Sequence, residues 1–191
     1  MAKNWKIRTD LSIEVCGHTL FRIECTQDFK EIKSGTLGGY IEKEENLDDD
    51  AWVFGNAKVF GDAQVYGNAW VYGNARFYGN AQVYDDAQAC GDAWVFGNAQ
   101  VCGKAWVYGD KITNKDDICY ISNRCYNITI TPLHIKIGCQ YHAQESWWNF
   151  TNEQIEKMDG ESALNFWKIW KEPLKQICDA MKKEKGEKDA E

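Results

Sequence analysis

The sequence predicts a mainly β protein whose middle third is a parallel β-helix of about four coils. An N-terminal β-hairpin precedes it, and a C-terminal hairpin plus helices follow. Three observations carry this: a six-residue rhythm runs without insertion from Ala51 to Asp110, valine recurs at one fixed place in it, and glycine recurs at another. Periodicity of this kind identifies a repeat architecture before any single element is assigned.

The first element is the hairpin, read over residues 5–29. Leu11-Ser-Ile-Glu-Val and Leu20-Phe-Arg-Ile-Glu read as its two strands around a turn at Cys16-Gly17-His18. A leader follows, from Asp28-Phe29 to Gly38-Gly39-Tyr40-Ile41. The rhythm then sets in as AWVFGN, AKVFGD, AQVYGN, AWVYGN, ARFYGN, AQVYDD, AQACGD, AWVFGN, AQVCGK and AWVYGD. Stepping back by six from Val53 reaches Leu47 and Ile41, so two degenerate hexads bring the total to twelve, or four turns of eighteen residues over 39–110.

Each hexad position has a physical role. Valine is β-branched and suits an inward site on a short strand. Alanine fits where two walls meet and only a methyl has room. Glycine supplies the positive φ of a corner, and the Asn or Asp after it can hydrogen-bond its own backbone. Phe77 and Ala89 replace inward valines within one coil, and the Phe ring is expected to fill the volume that the Ala leaves. Asp85-Asp86 replaces Gly-Asn at a corner and predicts local strain or a bulge.

The pattern of inward Val, small Ala and Gly-Asn corners resembles the left-handed β-helix, or hexapeptide-repeat, superfamily. The left-handed winding is implied by that resemblance, because general crossover rules favour the other hand. The leader resembles that of bacterial and phage hexapeptide-repeat proteins labelled putative transferases or polymer-forming proteins. Members are commonly homotrimers packed about a threefold axis, and a phage origin is implied by the leader alone.

Residues eighteen apart share a wall. The first wall carries Tyr40, Lys58, Arg76 and Trp94, with Glu42, Phe60, Tyr78 and Phe96 on the other flank of the inward position. The second carries Asn46, Gln64, Gln82 and Gln100, with Asp48, Tyr66, Tyr84 and Cys102. The third carries Trp52, Trp70, Gln88 and Trp106, with Phe54, Tyr72, Cys90 and Tyr108. So many outward rings exceed what a monomer exposes. Trp52, Trp70, Trp106, Phe54, Tyr72 and Tyr108 are therefore expected at a subunit interface, with ring stacking within each wall as the plainer account.

After the repeat, Tyr126 to Ile130 and Ile135 to Ile137 predict a hairpin around Thr131-Pro132. Thr151 and Gln154 fit a capping box opening a short helix. From Ser162, the residues Leu164, Trp167, Trp170, Leu174, Ile177 and Met181 recur at helical spacing. Pro173 is expected to kink or restart that helix, and its apolar face to pack on the prism or a neighbouring subunit. Lys182 to Glu191 reads as a solvated charge run. The segments divide as 1–38, 39–110, 111–146 and 147–191.

A formal net charge of −7 argues against nucleic acid as a partner. The sequence has no apolar run long enough for a membrane span and no secretory h-region, so a cytoplasmic location is expected, with the eight cysteines as free thiols.

The superfamily contains acyltransferases and zinc carbonic anhydrases, both of which rely on histidines beside the prism. Here His18, His134 and His142 all fall outside the hexads, and the repeats lack a loop excursion to carry a base. The expectation is a non-enzymatic module without a cofactor or metal, with an acyltransferase using an atypical base (His142) and a structural assembly protein as alternatives. Cys119, Cys125, Cys139 and His142 could be read as a zinc set, but their spacings are looser than structural zinc motifs. Lys58 and Arg76, bracketed by Tyr40, Phe60, Tyr78, Trp94 and Phe96, suit a small anionic, nucleotide-like ligand. A sponge for a host nucleotide signal is one form of this expectation, and a cation–π ladder within the wall is the plainer alternative.

Overall fold

Twelve hexads wind into a parallel β-solenoid of about four turns, as a computed structural model of residues 3–48 and 50–188 shows, with side chains described as far as Lys183. Asp49, in the second degenerate hexad, and the tail side chains beyond Lys183 lie outside the described residues. The four predicted segments combine into two compact units, Met1–Lys115 and Asp116–Glu191.

In the first unit each wall is a stack of two- to five-residue strands, parallel and in register at the eighteen-residue step. Trp52 lies beside Trp70, Lys58 beside Arg76, and Gln64 beside Gln82. Backbone bonds join the coils: Trp52 N–H donates to the Ala69 carbonyl at 3.1 Å and Lys58 N–H to that of Ala75 at 2.9 Å. Every inward valine of the hexads is buried, as are Ile41 and Leu47 of the two degenerate units. Each such side chain contributes roughly 1.5–3 kcal/mol by burial. Phe77 and Ala89 are both fully buried, on the first and third walls of one coil.

The corners show why glycine recurs. At Gly67 φ is +66°, and a Cβ there would stand 2.9 Å from the Asp85 nitrogen of the next coil. Asp85 itself adopts the left-handed conformation, φ +59°, at the one corner of the ten AWVFGN-type hexads without glycine. Its carboxylate accepts from Gly103 N–H at 3.0 Å, which compensates for the strain. The corner amides bond from coil to coil. Asn68, Asn74 and Asn80 each donate to the corner side chain one coil on, at 3.1 Å in all three cases.

The N-terminal hairpin pairs Trp5–Val15 with His18–Cys25 across a Cys16-Gly17 turn, and its second strand runs antiparallel to Leu37–Ile41. It thereby extends the first wall into a seven-stranded sheet. His18 opens the second strand rather than sitting in the turn. Asn46 corrects a sequence expectation. The eighteen-residue step puts it on the outside of the second wall, yet it is fully buried within a 3₁₀ turn, Glu44–Asn46.

In the second unit the predicted hairpin, Ile128–Ile130 with His134–Ile137, is the centre of a four-stranded antiparallel sheet. Cys119–Ile121 and Gln140–Ala143 form its edges. A short helix, Gln144–Asn149, precedes the long one, Asn152–Lys188. Thr151 and Gln154 form the expected capping box, with bonds of 2.9 and 3.3 Å. The helix does not restart at Pro173; its break lies at Asp159–Gly160, where Gly160 takes φ +63°. Nor does the charged run begin as irregular tail at Lys182, since the helix continues to Lys188. The apolar face of the helix, with Phe166, Trp167, Leu174 and Cys178, finds its partner inside this unit, in a core with Ile128, Ile130, Ile135 and Ile137. No described helix is long and apolar enough to cross a membrane.

Candidate functional site

The first wall brings together the residues that the sequence singled out for an anionic ligand, but Phe60 is buried, with His18 against it, and offers a ligand no face. Tyr40, Lys58, Arg76 and Trp94 stand in register on successive strands. On the other flank the rings of Phe60, Tyr78 and Phe96 stack almost parallel, with centroids 5.2 and 4.8 Å apart. Coil spacing of roughly 4.8 Å is what a ring stack requires, so the repeat builds the aromatic column without further help.

Two residues the sequence reading missed extend the row. Arg22, on the hairpin strand opposite Tyr40, places its guanidinium 4.7 Å from the Tyr40 ring centre and donates to the Tyr40 hydroxyl at 3.1 Å. Lys111 pairs with Trp94 on the last strand, its ammonium 5.2 Å from the Phe96 ring. The row across the wall therefore reads Arg22, Tyr40, Lys58, Arg76, Trp94, Lys111. Arg22 escaped notice because it lies outside the hexads on an antiparallel strand. Lys111 escaped because it follows Trp94 by seventeen residues, one short of the rhythm.

Among the described residues of this unit, five other cations are paired, while Lys30, Lys104 and Lys115 stand outside the ion pairs. Lys3, Lys6, Arg8, Lys33 and Lys43 each meet a carboxylate. Among the described residues, none of the ion pairs includes Arg22, Lys58, Arg76 or Lys111. Lys58 donates to the Asn56 carbonyl at 2.8 Å and lies 5.9 Å from the Tyr40 ring; Arg76 lies 5.1 Å from that of Trp94. Burial, and then the like charge of Arg76, push the Lys58 ammonium below its ordinary pKa. Two half-buried cations one strand apart, in a chain that is acidic overall, lack the counter-charge that would settle them. The cation–π contacts of the plainer account are present as well, and they hold the row against its rings.

The third wall carries the rings expected at a subunit interface, with one correction. Trp52 is fully buried within its own chain, with Phe29 of the leader edge-on against it at 5.5 Å, so it has no surface to offer a partner. Trp70, Phe54, Tyr72 and Gln88 line an open groove of ≈ 380 Å³. The Trp106 indole N–H donates to the Tyr72 hydroxyl at 3.1 Å, and Tyr108 remains 47% exposed. Cys90, expected outside, is buried beneath this wall. The second wall is a glutamine ladder, with Gln100 donating to Gln82 at 3.3 Å and Tyr66 stacked on Tyr84.

Of the histidines, His142 belongs to the second unit, edge-on to Trp147 and Phe150 at 5.3 and 5.0 Å, and burial lowers its pKa. His18 belongs to the first unit, on the hairpin strand that extends the first wall. Its ring lies 5.2 Å from Phe60, and its Nδ1 is 2.8 Å from a Glu42 carboxylate oxygen. The other Glu42 oxygen accepts from Gly61 N–H at 2.7 Å. Burial opposes the charge on Glu42, but the His18 and Gly61 bonds outweigh it and hold the carboxyl below its ordinary pKa. A depressed carboxyl stabilises the fold above its unfolded pKa, 4.5, and that contribution is lost as pH falls through the folded value. Glu42→Gln is thus expected to lower the urea midpoint at pH 7 and to cost progressively less as pH drops below about 4.5; an equal cost at pH 7 and pH 3 would contradict the assignment.

Among the described residues no three His, Cys, Asp or Glu side chains gather as a metal site, so Cys119, Cys125, Cys139 and His142 are not brought together. No protein-family model and no curated protein sequence matches the chain.

Proposed function

We propose that the chain is a binding module of the left-handed hexapeptide-repeat type, homotrimeric and non-enzymatic, that holds a small anionic ligand with a planar ring, such as a nucleotide, on its first wall. The observation that carries this reading is the row Arg22, Lys58, Arg76 and Lys111, four cations without carboxylate partners among the described residues, interleaved with Tyr40 and Trp94. Guanidinium and ammonium groups meet phosphate oxygens, and an exposed ring such as Trp94, 40% exposed, offers a face to a base. Trimer formation is supported by the groove and exposed rings of the third wall; in a threefold assembly the ligand site recurs once per chain.

A thermal-shift panel of nucleotides on the purified chain tests this reading. The expected result is a concentration-dependent rise in melting temperature for one or more phosphorylated ligands, abolished in Lys58→Ala/Arg76→Ala. A panel in which no ligand shifts the parent protein removes the reading.

One observation favours a second reading. A carboxylate that fixes the Nδ1 side of a histidine leaves Nε2 to take a proton, so the His18–Glu42 pair is the better-equipped base for an acyltransferase than His142, whose ring meets Gln140 and aromatic rings instead. Acyl-CoA turnover that vanishes in His18→Ala and survives in His142→Ala would establish it.

A further inference from the structure

The second unit contains a cavity that no part of the first-wall site uses. Its walls are the Tyr126, Trp147, Phe166 and Trp167 rings with Ile137, Ile155, Met158 and Ala163. Trp147 and Trp167 have their centroids 5.4 Å apart, and Tyr126 stands perpendicular to Phe166 at 5.0 Å. The Trp147 indole N–H is already bonded to the Ile135 carbonyl at 2.8 Å, so this ring contributes its π system and no donor. The sole acid among the lining residues is Asp159, exposed, in the helix break that Gly160 permits. Its carboxylate accepts from the Tyr126 hydroxyl at 2.6 Å. This bond, ahead of burial, pushes the phenol up to about 12, so at neutral pH it remains a donor.

The chemistry of these walls selects a ligand class. An anion meets Asp159 and no cation among the lining residues. A strongly hydrated cation, such as ammonium, gives up more hydration on entering apolar walls than it regains. A neutral apolar molecule gains from the rings but nothing from the carboxylate. A methylated ammonium is weakly hydrated, is drawn to ring faces, and complements an acid at the rim. The enclosed space is small, ≈ 50 Å³, which favours a compact head group over a larger ligand.

We propose that this cavity is an aromatic cage for a trimethylammonium group, entered past Asp159. The group can arrive on a small choline-type molecule or on a trimethylated lysine side chain, and the test separates the two. Choline, Nε-trimethyllysine and 3,3-dimethylbutan-1-ol, the uncharged isostere of choline, are titrated into the full chain and followed by saturation-transfer NMR of the ligand. Saturable binding is expected for at least one of the two cations, and the tighter identifies the source. Binding of the neutral isostere is expected to be at least roughly tenfold weaker, the scale of one desolvated cation–π contact. Asp159→Asn, a change at an exposed position that keeps the acceptor for Tyr126, weakens the cation by a similar factor and leaves the isostere unchanged. The proposal fails if neither cation saturates, or if the isostere binds as tightly as the cations, which would mark the cavity as apolar packing space alone.

Discussion

Replacing Asn46 by alanine lowers the stability of the solenoid by about 3 kcal/mol, the cost of losing four side-chain hydrogen bonds, one of them fully buried and three half-buried. In the regular coils, the residue before each inward position donates its backbone N–H to the alanine carbonyl of the next coil, as Trp52 does to Ala69. At the first coil of the second wall that pattern fails, because Asn46 N–H turns back to the Lys43 carbonyl. The side chain takes over. Its amide donates to Ala63 at 2.8 Å and to Gly61 at 3.1 Å, and its oxygen accepts from Lys43 N–H at 2.9 Å and Glu42 N–H at 3.2 Å. One amide thus closes the open end of the ladder. Asn46→Asp is expected to be no better tolerated, since it keeps the acceptor, loses both donations and buries a charge. Equilibrium urea unfolding checks both; a loss below about 1 kcal/mol for Asn46→Ala would mean that water replaces the amide.

The same residue shows where the sequence stopped being readable. The regular hexads are legible because each place in them answers to one constraint: an inward branched side chain, a methyl where walls meet, a corner with positive φ. Residues Glu42 to Asp48 break that code, with Glu45 standing where alanine belongs. The eighteen-step count still placed Leu47 correctly but could not register that the chain tightens into a 3₁₀ turn and draws Asn46 inward. The candidate site divides in the same way. Tyr40, Lys58, Arg76 and Trp94 followed from the step alone. Arg22 and His18 depend on how a distant hairpin pairs with Leu37–Ile41, a register that no local period encodes. Trp52 looked like its neighbours Trp70 and Trp106; what distinguishes it is a ring from the leader, Phe29. In the second unit the helical face was visible at its 3.6-residue period. The edge strands Cys119–Ile121 and Gln140–Ala143 were not, because runs of three and four residues are too short to establish a period, and their pairing is tertiary.

Phe77→Ala has the largest effect expected of any single change in the solenoid, about 3–5 kcal/mol, because it empties a fully buried ring from a stack whose backbone is held by coils on both sides and cannot collapse. The companion changes test whether Phe77 and Ala89 exchange volume. They are two of the three inward residues of one coil, with Val83 the third, and all three are fully buried. If the ring occupies the space an inward valine at 89 would take, Ala89→Val alone overpacks the coil and costs about 1–3 kcal/mol. Phe77→Val alone leaves a void. Together the two changes restore the valine found at these places in the other coils, and each relieves the defect of the other. The double variant is therefore expected to recover at least about 1 kcal/mol relative to the sum of the single losses, well above the few tenths within which independent sites add. Additive losses would show instead that the Phe77 ring is accommodated by its own wall, between Val59 and Val95, and that Ala89 is small for a reason local to the third wall, where Val71 and Val107 flank it.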